Sequence, residues 1–180
     1  MSANSDSLIS AFDYAWSRLT TRIVGLTDSE YFWEPVHDCW SLREGPEGHW
    51  QLDGGGGGGA APDPVPVTTI SWRLCHLGGL ALGGLTELRF GDRTAPSDNI
   101  DFPCSAAAVN SFLELHYQRW RVSITSLTDL QWNQPLGPSW DEYANNNTFD
   151  LALHVLDELT HHGAEVGVLR DLYSQRSSLS

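Results

Sequence analysis

Four stretches of this chain carry apolar residues at steps of three and four, and that spacing constrains the fold more than any other feature. Such steps place side chains on one stripe of a 3.6-residue helix. The first stretch runs from about Ser5 to Leu26, through Leu8, Phe12, Ala15, Leu19 and Ile23. The second, from about Thr69 to Phe90, is apolar on nearly all sides and is expected to be buried. Thr68 or Thr69 is placed to cap it, after the Pro-rich run Pro62 to Pro66. The third runs from about Ser105 to Leu127, with Val109, Phe112, Leu113, Tyr117, Trp120 and Ile124. The fourth runs from about Thr148 to Tyr173, with Thr148 as the expected N-cap after three Asn residues. Each spans roughly 20 residues, or about 30 Å of helix. The spacing predicts an all-α fold, a four-helix bundle. The nearest competing strand, Val65 to Ile70, is interrupted by proline.

The connections are unequal. The link from Leu26 to Thr68, between helices one and two, is long and holds six consecutive glycines, Gly54 to Gly59. Gly-rich chain is flexible and buries no core, so residues from about 44 to 66 are expected to form a flexible loop. A phosphate-cradling loop would need a Lys with Ser or Thr after the glycines, and none follows. The glycines therefore read as a tolerated insertion at a loop tip. The same link carries Trp33, His37, Cys39, Trp40, His49 and Trp50, so its first part is expected to pack onto the helices. The link from Thr128 to Asn147, with Trp132, Trp140 and Tyr143, is expected to do likewise.

Length and charge bound the partners. A chain of 180 residues suits a single domain spanning residues 1–180. It has 10 basic and 23 acidic side chains, a formal charge of −13, and every basic one is Arg. That balance disfavours nucleic acid and anionic membranes, which are polyanions. Without Lys, a Schiff base on the chain and a Walker-type phosphate lysine are excluded. Cys39, Cys75 and Cys104 are odd in number, widely spaced and fit no zinc-finger pattern. Met1 to Ser7 lacks the layout of a signal peptide, and no stretch approaches 18 consecutive apolar residues. A reduced cytoplasmic setting is the expectation.

The fourth stretch concentrates the reactive side chains: His154, Asp157, Glu158, His161, His162 and Glu165. Its apolar stripe passes through Ala152, Val155, Leu159, Val166, Leu169 and Tyr173, and His162 falls inside it. Glu158 lies one turn earlier on nearly the same face. A carboxylate and an imidazole at i and i+4 can share one metal ion. A buried Glu also needs a cation or a hydrogen-bond donor. His76, in the most apolar stretch, is the candidate third ligand. Gly78, Gly79, Gly83 and Gly84 follow it and imply close backbone packing or room beside the imidazole. The blander alternatives stay open, because a lone helical His is usually a satisfied core or surface group. His154, Asp157 and His161 form a rival set that faces sideways. Glu165, one turn beyond, either orients a ligand or is a solvated acid.

Thr69 to Leu77 (TISWRLCHL) and Leu153 to Asp171 (LHVLDELTHHGAEVGVLRD) together resemble the DinB-like superfamily. The likeness is greatest to the branch related to the N-terminal domain of mycothiol-dependent maleylpyruvate isomerase. Trp40 to Arg43 (WSLR) also resembles a recurring element of these proteins. The resemblance implies a four-helix bundle holding a metal with one His on the second helix and two residues four apart on the last. Those positions fall on His76, Glu158 and His162. Two departures stand out. Gly163-Ala164-Glu165 replaces the usual small-residue-plus-His pattern, and no second domain is expected after the bundle.

The implied function is a metal-dependent enzyme, a transferase or hydrolase acting on a small molecule. It would activate water or a low-molecular-weight thiol on a divalent metal, zinc first, with nickel or iron as alternatives. His161, Asp157 and Glu165 are candidates for supporting the ligands, and Trp40 and Trp72 for walling the pocket or packing the core. The resemblance also implies a homodimer. The rival reading is a non-catalytic dimeric stress or sensor protein whose metal is structural. A carrier of lipid or cofactor would instead need a large cavity and no converging ligands.

Overall fold

A computed structural model describes residues 3–57, 62–91 and 100–178, so Gly58 and Gly59 of the glycine run lie outside the described residues. Its long helical stretches fall where the periodicity places them: α1 (Ala3–Arg22), a composite stretch over residues 70–90, α5 (Ala106–Thr125) and α7 (Thr148–Gln175). Short helices α2 (Asp28–Tyr31) and α6 (Asp129–Trp132) sit in the links. α1 stops at Arg22, before the expected Leu26, and Gly25 then takes a positive φ of 70°. Ile23 stays buried all the same.

The helix starts follow local side-chain chemistry. Thr69 Oγ1 accepts from the Trp72 N–H at 3.2 Å, and Ser105 Oγ accepts from Ala108 N–H at 3.2 Å. For α7 the cap is Asn147, not Thr148. Asn147 Oδ1 accepts from Asp150 N–H at 3.0 Å, and Asp150 Oδ2 accepts from Asn147 N–H at 2.9 Å. That reciprocal box satisfies two otherwise orphaned donors. Thr148 is the first helical residue and is buried, its hydroxyl accepting from Arg89 at 2.7 Å.

The second stretch is not one regular α-helix. It opens as α3 (Ile70–Cys75), runs as π-helix from His76 to Gly84, and closes as α4 (Leu85–Phe90). Its glycines serve close packing. A Cβ at Gly78 would lie 2.5 Å from Phe112, one at Gly79 2.7 Å from Phe102, and one at Gly83 2.5 Å from His116. Lacking those carbons, the π segment presses directly on α5 and on Phe102 ahead of it.

α1 packs along α7, and the π segment lies against both α5 and α7. The core between them holds Phe12, Leu19, Leu77, Leu113, Tyr117, Trp120, Val155, Leu159 and Val166, all at most 2% exposed. Each such large side chain removed from water contributes about 1.5–3 kcal/mol before entropy is counted. Among the described residues, no helix is long and apolar enough to cross a membrane.

The long link carries structure that periodicity did not foresee. β1 (Leu42–Glu44) and β2 (Trp50–Leu52) pair antiparallel, with Leu42 opposite Leu52. Strands of three residues are too short to show an alternating pattern. The hairpin is tied to the start of α3, since Trp40 N–H donates to Val67 O at 3.0 Å and Thr69 N–H to Trp40 O at 2.9 Å. Gly54 to Gly57 follow with φ of 64°, 60°, 75° and 87°. Four consecutive residues in the left-handed region are a conformation that only glycine adopts freely. In the second link, Trp132 is buried and Trp140 packs on the core, whereas Tyr143 is exposed.

Candidate metal centre

α7 brings two side chains together because residues four apart share a face. Glu158 and His162 meet with Oε2 and Nε2 3.1 Å apart. The third member crosses from the neighbouring stretch. His76 is the first π-helical residue, and its Nε2 lies 3.0 Å from the same Glu158 Oε2. The two imidazole rings stand edge to face, 86° apart, with centroids 4.8 Å apart. His76, Glu158 and His162 thus offer ligand atoms all within 4.8 Å of one another. Among the described residues, no fourth His, Cys, Asp or Glu joins that group. The His162 side chain is 8% exposed, His76 16% and Glu158 19%, so the cluster is recessed but not sealed.

Each imidazole is held at its far nitrogen. His76 Nδ1 lies 2.7 Å from the Gly56 carbonyl oxygen, and His162 Nδ1 lies 2.7 Å from Glu165 Oε2. Carbonyl and carboxylate oxygens only accept, so both Nδ1 atoms carry the proton. A longer approach of Arg73 Nη1 to His162 Nδ1, 3.3 Å, does not compete with that assignment. Both Nε2 lone pairs then face one carboxylate oxygen. Three electron-rich atoms at 3.0–3.1 Å repel unless a proton or a cation stands among them. A donor set of two neutral imidazoles and a carboxylate, each imidazole braced by an acceptor, suits a divalent metal such as zinc.

The charges around the cluster act on one another. Burial pushes Glu158 up, but its contacts with His162 and His76 outweigh this and hold the carboxyl well below the usual range. Burial pulls His162 down, and Glu158 and Glu165 more than reverse it. Glu165 is likewise held low, with burial opposed by His162 and Arg73. Arg73, one turn before His76, sends its guanidinium into this group. Its Nε lies 2.9 Å from Glu165 Oε2 as an ion pair whose N–H is not aimed for a hydrogen bond. Burial lowers its pKa, only partly countered by Glu165 and Glu158.

The other candidates divide. His161 is exposed, stacks on His162 at 4.7 Å, and reaches Glu165 Oε1 at 3.2 Å. His161, His162 and Glu165 make a second possible metal group, which shares His162 with the first. Asp157 is exposed and belongs to neither group. His154 stands 3.8 Å from Glu158 Oε1 at the exposed rim. Trp72 is buried and stacks on the His76 ring, centroids 5.0 Å apart and nearly parallel, while Trp40 leans on Trp72. Sequence reasoning passed over Arg73 and Gly56. An Arg on an otherwise apolar helix, one turn from a candidate ligand, was a usable signal. A backbone carbonyl leaves none.

Residues 11–166 match the family model of the DinB superfamily. No curated protein and no solved structure matches the chain.

Proposed function

The chain belongs to the DinB superfamily, and on that premise we propose that it is a metal-dependent enzyme with His76, Glu158 and His162 as the metal ligands. Its four long helical stretches would form the superfamily's four-helix bundle. The substrate is a small molecule, and the reaction is a transfer or a hydrolysis. His76, Glu158 and His162 would hold a divalent ion, zinc in the first instance and nickel or iron otherwise, which would supply Lewis acidity for making a nucleophile of water or of a low-molecular-weight thiol such as mycothiol near neutral pH.

One observation carries the reading: the Nε2 atoms of His76 and His162 converge on a single Glu158 oxygen while each Nδ1 is already engaged. The chain's residues have distinct tasks in it. His76 and His162 supply neutral nitrogen donors, and Glu158 supplies the one negative charge. Glu165 accepts the His162 Nδ1 proton and keeps that tautomer. Arg73 is the cationic side chain at the centre, placed to attract an anionic substrate group or to balance the two carboxylates. Three protein ligands would leave a coordination position of a four-coordinate ion to water or substrate, which favours a catalytic over a structural role.

The test is metal content of the purified protein together with a thiol-transfer and hydrolase screen. Near-stoichiometric divalent metal in wild type, lost in His76→Ala, Glu158→Ala and His162→Ala, is expected. A metal-free wild type, or equal binding by all variants, sinks the reading.

A further inference from the structure

The glycine run reads from sequence as an insertion without a task, yet its described part touches the metal centre. Trp72 Nε1–H donates to the Asp53 carbonyl at 2.9 Å, and the same indole stacks on the His76 ring. Asp53 Oδ2 accepts from Ser41 N–H at 2.9 Å and from Arg43 Nε–H at 2.8 Å, which ties the start of the turn to the hairpin. The chain then turns left-handed through Gly54 to Gly57. A Cβ at Gly54 would collide with the Trp40 ring, and one at Gly56 with Leu80. The turn is thus seated between Trp40, Leu80 and Trp72, with the Gly56 carbonyl facing His76 Nδ1.

We infer that the Asp53–Gly57 turn is a positioning element of the metal centre: through the Gly56 carbonyl it fixes the Nδ1–H tautomer of His76 and so aims Nε2 at the metal. Gly56 does for His76 what Glu165 does for His162, with a backbone group in place of a side chain. A carbonyl adds no charge, so the centre keeps a second braced imidazole without a further carboxylate. Glycine suits the turn because consecutive positive φ values turn that carbonyl inward, and a β-branched residue resists them. The inference rests on the metal reading above.

Gly55 supplies a clean test, because nothing lies within 4 Å of a Cβ built there although its φ is +60°. Gly55→Val therefore acts through the backbone alone, and Gly55→Asn is the conservative rescue, since Asn tolerates the left-handed region. Zinc affinity would be measured by competition with a chromophoric chelator, and the His76 tautomer of metal-free protein by imidazole nitrogen NMR. Gly55→Val is expected to weaken zinc binding about 10–100-fold and to lose the Nδ1–H signal of His76. Gly55→Asn is expected to stay near wild type. Trp72→Phe, which keeps a ring on His76 but removes the donor to Asp53, is expected to shift both readouts in the same direction, and it decides the matter if Gly55→Val does not fold. Wild-type affinity and tautomer in Gly55→Val, or in Trp72→Phe where that variant decides, overturn this inference alone. A wild type that binds no zinc overturns it together with the metal reading.

Discussion

Arg73 and Glu165 form an ion pair at 2.9 Å that joins α3 to α7 and turns the Glu165 carboxylate toward His162 Nδ1. The two residues lie one turn before His76 and three residues after His162. Side chains of this kind set the basicity and orientation of an imidazole ligand.

Glu165→Gln keeps the shape of that side chain and removes its charge. Metal affinity is expected to fall about 10–100-fold, while His161→Ala, at an exposed ring, changes it little. Chelator competition on purified variants checks this. Equal affinity in Glu165→Gln and wild type would show that the carboxylate does not support the ligand.

Asp157 offers the matched control. It neighbours Glu158 in sequence but is exposed and outside the cluster. Asp157→Ala is expected to keep the full metal content and Glu158→Gln to lose it, read by elemental analysis. Loss in Asp157→Ala would move the site toward the sideways set of His154, Asp157 and His161.

Acid sensitivity is expected from Glu30, which is 8% exposed. Burial raises its pKa, but the Arg170 guanidinium and the Thr27 bonds outweigh that and leave the carboxyl below its usual range. A depressed folded-state pKa gives stability that is present above the unfolded value and is lost as pH falls through the folded one. Glu30→Gln should therefore cost about 1.5–3 kcal/mol near pH 7, the scale of a hydrogen bond to a charged group. The gap to wild type should close as pH drops below about 4.3, the ordinary Glu value. Denaturant titrations at several pH values read the gap; a difference independent of pH would contradict the assignment.

Gly78→Ala sets two effects against each other. Alanine favours helix by about 1 kcal/mol over glycine. The added Cβ, however, would stand 2.5 Å from the Phe112 ring, and overpacking of a core costs about 1–3 kcal/mol. Net destabilisation is expected, seen as a lower thermal midpoint. A raised midpoint would mean that α5 yields easily.

At the start of α7, Asn147→Ala is expected to cost about 1 kcal/mol by removing the cap. Thr148→Val should instead cost through the lost Arg89 contact, with the cap intact. Comparing Arg89→Ala in both backgrounds separates them, since only the Thr148 pair should show coupling.

The helical elements and the Glu158–His162 pair were legible because both are local properties. Stripes such as Phe12, Leu19 and Ile23, or Leu113, Tyr117 and Trp120, follow from a fixed period, and the buried positions match them. Glu158 and His162 sit one helical turn apart, so their pairing needs no knowledge of any other segment. The short hairpin and the π-helical course of residues 76–84 were not legible. Three-residue strands carry no period, and an i→i+5 pattern differs from α by one residue per turn in a stretch that is apolar on every side.

Sequence by itself determined the helical elements, the α7 pair and the absence of any lysine at the centre. His76 was already the candidate third member in sequence, and only the tertiary structure shows it meeting the pair. His76 lies 82 residues from Glu158, and its approach depends on how α3 meets α7, with Trp72 stacked on its ring. The brace on its Nδ1 comes from a backbone carbonyl aimed by four left-handed glycines. The direction of a carbonyl is a property of φ and ψ in a packed turn, not of side-chain identity. The glycines therefore showed in sequence only what the chain was free to do, and packing against Trp40, Leu80 and Trp72 determined what it does.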